Sequence, residues 1–203
     1  MGNKNSVCGL ELKSSYYPLV VLASVLLGIL NSVIGNFNSY VLHLPLFLDT
    51  IGTLVSTALF GLVPGLITAV VTHITPTIVT LWETGNFFPF VICSMASALT
   101  LWIFMKHGKF DNLLHAILVS VVVTLANAVT GSAVAVFFFS GITNHPVDYM
   151  MTGFLSIGQN LLSAAFWARI PVNLIDKGIA VFIAFGVYKW CLYRKRRSTS
   201  EED

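Results

Sequence analysis

Apolar residues run along this chain in blocks far longer than one helix face or one strand needs. Five blocks predict membrane-spanning helices on length alone: Tyr16–Gly35, Val63–Leu81, Phe87–Met105, Leu113–Phe139 and Val172–Tyr193. A span takes about 20 apolar residues, because each adds about 1.5 Å toward a hydrocarbon core of about 30 Å. A sixth block, Leu46–Gly61, is short for that purpose, and tilt or a thin local bilayer accommodates it. From Val147 to Trp167 the chain is less apolar, holding Asp148, Gln159 and Asn160 and ending just before Arg169.

The polar positions between the blocks decide which way they face. Basic residues gather at Lys4 and Lys13, at Lys106 and Lys109, and at Arg194, Lys195, Arg196 and Arg197. Such sites stay on the cytoplasmic side. Four spans separate the first site from the second, and an even number must separate the second from the third. The blocks 113–139 and 172–193 supply two, so 147–167 is read as a re-entrant or interfacial helical element on the outer side rather than a seventh span. The expectation is an all-α integral membrane protein of six transmembrane helices with both termini cytoplasmic. It forms a single membrane domain over 1–203, with a cytoplasmic segment at 1–15, the bundle at 16–193 and a charged cytoplasmic tail at 194–203.

Composition strengthens the class and removes others. Of 203 residues, 56% are hydrophobic and only 10% are charged, against about 25% charged in soluble domains. A soluble enzyme, a disordered tail and a DNA-binding module are excluded; the lipid bilayer is the partner, and nucleic acid is not. The net charge of +2 hides how unevenly the charges sit. Asp49 is the only formal charge between Pro45 and Thr80, and there is none between Asn112 and Val147.

On this topology the outer connections collect Asp49, Glu83, His145, Asp148, Arg169, Asp176 and Lys177, together with Trp82, Asn86, Asn144, Gln159, Asn160 and Asn173. Lipid penalises such groups, so their gathering on one side points to a water-accessible cavity or ligand site. In the connection from Thr80 to Phe88, Trp82 offers a stacking surface and Glu83 a charged acceptor, although an interfacial tryptophan also serves as an anchor. Asn160, Arg169 and Asn173 bracket the last outer connection and are placed to converge on a ligand. Pro45–Gly52 and Pro171–Gly178 read as two similar helix starts, with Asp49 and Asp176 complementing the first turns. Asp176 and Lys177 are adjacent, point about 100° apart on a helix and need not pair.

Small residues recur every four positions at Ser24, Gly28 and Ser32, and again at Gly61, Gly65 and Ala69. Such faces let backbones approach closely in lipid. The second ladder reads as packing within the chain, and the first either as packing or as a surface for another subunit. Asn127 and Thr130 read as a helix-packing hydrogen-bond site. None of the five histidines has zinc-type spacing, and His73, the one inside an apolar block, reads as a packing histidine. Cys8, Cys93 and Cys191 form no metal-ligand set. There is no phosphate loop and no Gly-x-Ser-x-Gly elbow. The chain is therefore not read as an enzyme, no metal or other cofactor is expected in it, and active uptake would draw its energy from a partner or an ion gradient.

Leu44–Thr53, followed by Ala58–Gly65, resembles the second and third helices of the substrate-binding S components of energy-coupling-factor (ECF) vitamin transporters. Pro171–Val181, continuing to Ala184 and Phe185, is similar to their last helix. The resemblance implies a binder of a vitamin or related micronutrient, loaded from outside in a pocket roofed by the first, third and fifth connections. It implies partners as well: a membrane coupling subunit and two cytoplasmic ATPases, which use the ATP. On it, Trp82, Glu83, Asn86, Asn160, Arg169 and Asn173 are substrate-binding candidates, and Ser24, Gly28 and Ser32 meet the coupling subunit. Asp49 and Asp176 hold helix ends near the pocket, and the chain topples in a prokaryotic plasma membrane to deliver its ligand. The outer charges carry a mild acidic excess, which favours a cationic or heteroaromatic ligand. A membrane-embedded ligand sensor, a solo small-molecule transporter and an integral membrane enzyme are the alternatives. The sensor calls for a fused signalling domain, and the enzyme for clustered catalytic groups, which the sequence does not show.

Overall fold

The computed structural model describes residues 6–7, 10–11, 16–79 and 88–200. Apart from a two-residue antiparallel pair, β1 (Ser6–Val7) with β2 (Leu10–Glu11), the regular elements among the described residues are helices. They run in order α1 (Tyr17–Phe37), a π-helical turn (Asn38–Leu42), α2 (Ile51–Phe60), α3 (Leu62–Val79) and a 3-10 turn (Phe88–Phe90). Next come α4 (Val91–Lys106), α5 (Leu113–Phe139), α6 (Val147–Ser156) and α7 (Leu161–Ser200). Four helical stretches are long and apolar enough to cross a membrane: 17–37, 88–106, 113–139 and 161–195. Ile51–Phe60 and Leu62–Ile78 are shorter apolar helices.

The bundle is organised for lipid as its solvent. Large apolar side chains face outward, including Leu22, Leu26, Leu30 and Val33 on α1 and Leu118, Val122, Leu125 and Val129 on α5. Small and polar ones face inward: Ser24 and Asn31 on α1, Ser56 on α2, Thr68 and Thr72 on α3, Ser97 on α4, Thr124 and Asn127 on α5. Lipid rewards no burial of leucine, so the seams are close approaches stitched by hydrogen bonds. Thr68 Oγ1 donates to the Ser24 carbonyl at 3.1 Å, Thr72 Oγ1 to the Gly28 carbonyl at 3.3 Å, and Asn127 Nδ2 to Ser97 Oγ at 2.7 Å. Thr130 Oγ1 lies within hydrogen-bonding distance of Cys93 Sγ on α4, at 3.4 Å, and of the Ala126 carbonyl, at 2.8 Å.

The expected span 46–61 is corrected. Its helical part is the 10-residue α2, and residues 43–50 lead into it as irregular backbone in which His43 and Leu48 take φ of 52°. Every residue from Gly52 to Ala58 is buried, so α2 is enclosed by its neighbours and does not need to match the bilayer thickness. Its N-terminus lacks a side-chain cap of its own. Asn31 of α1 fills that place: its Oδ1 accepts the Gly52 N–H at 3.0 Å, and its Nδ2 donates to the Asp49 carbonyl and to Thr72 Oγ1. Gly52 permits this contact, since a Cβ there would lie 2.7 Å from the Leu27 carbonyl oxygen.

The last helix is corrected too. It does not start at Pro171; that proline and Asp176 lie inside the 40-residue α7. Asn160 starts the helix instead, its Oδ1 accepting the Ser163 N–H at 2.9 Å. Ala164, Ala165, Ala168 and Val172 pack on Val147 and Met151 of α6, so the first turns carry their own apolar seam past the proline. The expected re-entrant segment 147–167 accordingly divides into α6 and the opening turns of α7.

The ladder Ser24–Gly28–Ser32 is occupied within the chain. All three residues are buried, and a Cβ on Gly28 would come within 2.7 Å of Val71 Cβ. In the chain by itself, α3 fills the face that the resemblance assigns to the coupling subunit. Gly65 likewise fits against α2, a Cβ there falling 2.0 Å from Thr57 Oγ1.

Candidate functional site

A cavity of about 950 Å³ opens at the end of the bundle away from Lys106, Lys109 and Arg194. Its wall is built from the C-terminal ends of α1, α3 and α5, the N-terminal end of α4, the N-terminal half of α7, and the segments 43–49 and 142–149. That size is ample for a small organic molecule, for which pockets span about 300–1,000 Å³.

One stripe of α7 supplies three lining side chains, Arg169, Asn173 and Lys177. Spacing of four places them one above another on one helix face. All three are buried. Lys177 is the hub of an ion cluster: its Nζ lies 2.9 Å from Asp49 Oδ1 and 2.7 Å from Asp176 Oδ2, and donates to Thr50 Oγ1 at 2.7 Å. The expectation that Asp176 and Lys177 need not pair is corrected, because the long lysine stem folds back to its neighbour. Asp176 Oδ1 accepts the Leu48 N–H at 2.8 Å, so one carboxylate ties α7 to the strained loop before α2. His73 of α3 completes the group, with Nε2 2.9 Å from Ser94 Oγ and 3.9 Å from Asp49 Oδ2.

The segments 43–49 and 142–149 bring aromatic and polar groups to the wall. His145 stacks on Phe47 with ring centroids 4.4 Å apart and planes 18° from parallel. Burial pushes the His145 imidazole below its ordinary value of 6.5, against smaller raising effects from the Leu46 backbone and from Asp148 and Asp49. Asp148 binds back on its own loop, accepting the Thr143 N–H at 2.7 Å and the Thr143 hydroxyl at 2.9 Å. Asn31, Thr72 and Asn127 add polar atoms deeper in the wall.

Of the sequence-derived candidates, Arg169 and Asn173 come together in this cavity. Asn160 does not; it is exposed at the start of α7. Trp82, Glu83 and Asn86 lie outside the described residues. Asp49 lines the cavity but belongs to no helix, and Asp176 sits beneath it within α7. Lys177, Asn31, His73, Asn127, Phe47 and His145 also line it; of these, Lys177 and His145 are among the outer polar groups expected near a cavity, and the other four are not. The four-residue spacing of Arg169, Asn173 and Lys177 was the available signal for Lys177. Those four are brought in by tertiary packing and leave no local mark. No group of three or more metal-binding side chains occurs among the described residues.

A lipid-adapted helical bundle with a ligand-sized, charge-lined cavity at one end defines a membrane protein that binds a small molecule. The family model for the substrate-specific component of ECF transporters matches residues 20–188, most of the chain and every wall of the cavity. The chain belongs to that family, which is one of transporter substrate-binding components and not of enzymes. No curated protein and no solved structure matches the chain.

Proposed function

We propose that this chain captures a vitamin or related small micronutrient on the outer side of the cell membrane and passes it to ATP-driven uptake. The supporting observation is the cavity of about 950 Å³ at the end of the bundle opposite the basic residues. On the positive-inside rule that end faces outward. α1, α2, α3, α4, α5 and α7 are then the six membrane elements, with α6 at the outer interface and both termini inside. No phosphate-binding loop occurs in the sequence, so ATP is hydrolysed by partners: a membrane coupling subunit and two cytoplasmic ATPases.

In this reading Arg169 and Asn173 meet the ligand. Trp82, Glu83 and Asn86 remain candidates, because residues 80–87 join α3 to the 3-10 turn and both of those elements line the cavity. Mass spectrometry of small molecules retained by the purified chain tests the reading directly. A stoichiometric micronutrient, whose uptake into cells requires both this chain and the coupling module, is the expected result. Failure to bind or import any of a broad vitamin panel, alone or with coupling proteins, overturns it.

A further inference from the structure

The charged groups in the cavity wall differ in how far their bonding capacity is used. Lys177 is spent on Asp49, Asp176 and Thr50, and Oδ1 of Asp49 is taken by Lys177 and Thr50. Both oxygens of Asp148 are taken by Thr143. Arg169 uses the least of its capacity. Only 1% of it is exposed, and its Nη1 donates to the Ala165 carbonyl at 3.1 Å, while Nε and Nη2 have no hydrogen-bond partner.

Those two nitrogens are not an arbitrary pair. Nε and Nη2 share one edge of the planar guanidinium and present two parallel N–H donors, the edge that takes both oxygens of a carboxylate or phosphate. Gly131 of α5 packs close beside this side chain: a methyl there would sit 3.4 Å from Arg169 Cδ and 3.5 Å from Nε. Arginine within a membrane bundle is costly unless it faces a cavity and meets a counter-charge.

We infer that the ligand carries an anionic group, carboxylate or phosphate, which docks side-on against Nε and Nη2 of Arg169. This rests on the small-molecule-binding reading and specifies the substrate class it left open. It also reverses the ligand charge expected from the outer residues: Asp49, Asp148 and Asp176 accept hydrogen bonds from within the protein, while two nitrogens of Arg169 donate none. The aromatic pair Phe47 and His145 in the cavity wall offers a flat surface to the rest of the molecule.

The test uses the full chain in detergent and matched acid and neutral probes, read by calorimetry and thermal shift. Pantothenate with panthenol, biotin with biotin amide, and nicotinate with nicotinamide form the carboxylate arm; pyridoxal 5′-phosphate with pyridoxal forms the phosphate arm. In at least one pair the acid binds and its neutral partner binds roughly 100-fold more weakly, the loss expected for a bidentate charged contact. The arm in which this occurs tells carboxylate from phosphate. R169Q lowers affinity for that acid by about 100-fold while R169K, a point charge without the fork, loses less. Comparing acid with neutral probes on the unsubstituted chain needs no variant to fold.

Equal binding of acid and neutral members, or unchanged acid affinity in R169Q, overturns the inference. So does a neutral or cationic molecule retained through purification, an outcome that leaves the binding-protein reading standing. If nothing is retained and no probe binds, both fall together.

Discussion

Lys177 shows what a single residue carries when lipid surrounds the fold. One ammonium holds two carboxylates and a hydroxyl, and so joins α7 to the segment entering α2. Removing one partner of a buried ion cluster leaves uncompensated charge, at a cost of about 3–5 kcal/mol. K177M should lower the detergent unfolding midpoint by an amount matching that loss, and the conservative K177R should recover part of it. His145 gives a second prediction at this scale. Its folded value lies below 6.5 through burial, so between the two values the unfolded chain holds more protons. The stability it contributes is complete above 6.5 and declines as the pH falls through that window. Thermal midpoints measured from pH 7.5 to 5.5 should fall with acidification, and less steeply in H145F, which keeps the stack on Phe47 and cannot charge. Asp148 and Asp49 offset part of the effect, Arg169 adds to it, and the slope is therefore shallow.

Among the elements, α2 best separates what the sequence disclosed from what it withheld. Apolar length located the helices, because lipid imposes length directly. It did not locate their ends. Residues 43–50 look like a helix start in sequence but are held irregular by Asn38, Asp176 and Lys177, partners up to 128 positions away. Pro171 looks like a first-turn proline, yet the alanine seam on α6 carries the helix through it. Arg169 and Asn173 were legible because they stand out as polar groups bracketing the last outer connection, whereas Asn31 and His73 reach the cavity only through the packing of α1 and α3. The small-residue ladders were legible as close contacts but not as to what they contact. G28V should destabilise the isolated chain by colliding with Val71; an intact fold with impaired subunit assembly would show that the face serves a partner instead. G65A should cost about 1–3 kcal/mol through overpacking on Thr57, with T57A giving partial relief in the double variant.

For the whole molecule, placement of charge on opposite ends is the property most readily checked in cells. Ile157 lies exposed beyond α6, at the cavity end, and Lys109 lies exposed between α4 and α5, at the basic end. Ile157→Cys should react with a membrane-impermeant maleimide added outside, and Lys109→Cys only after permeabilisation, both judged against the unsubstituted chain; the reverse pattern would invert the topology. The two ends are also joined by a single long member. α7 has 40 residues, about 60 Å at the helical rise. It provides the stripe that grips the ion cluster and the cavity, then runs on to the basic tail. A rod of that length is a lever as well as a wall. A tilt of about 10° around its middle moves each tip by about 5 Å at that length. Whatever inclination the wall takes up around a captured molecule is thus displayed, as displacement, on the far face of the membrane.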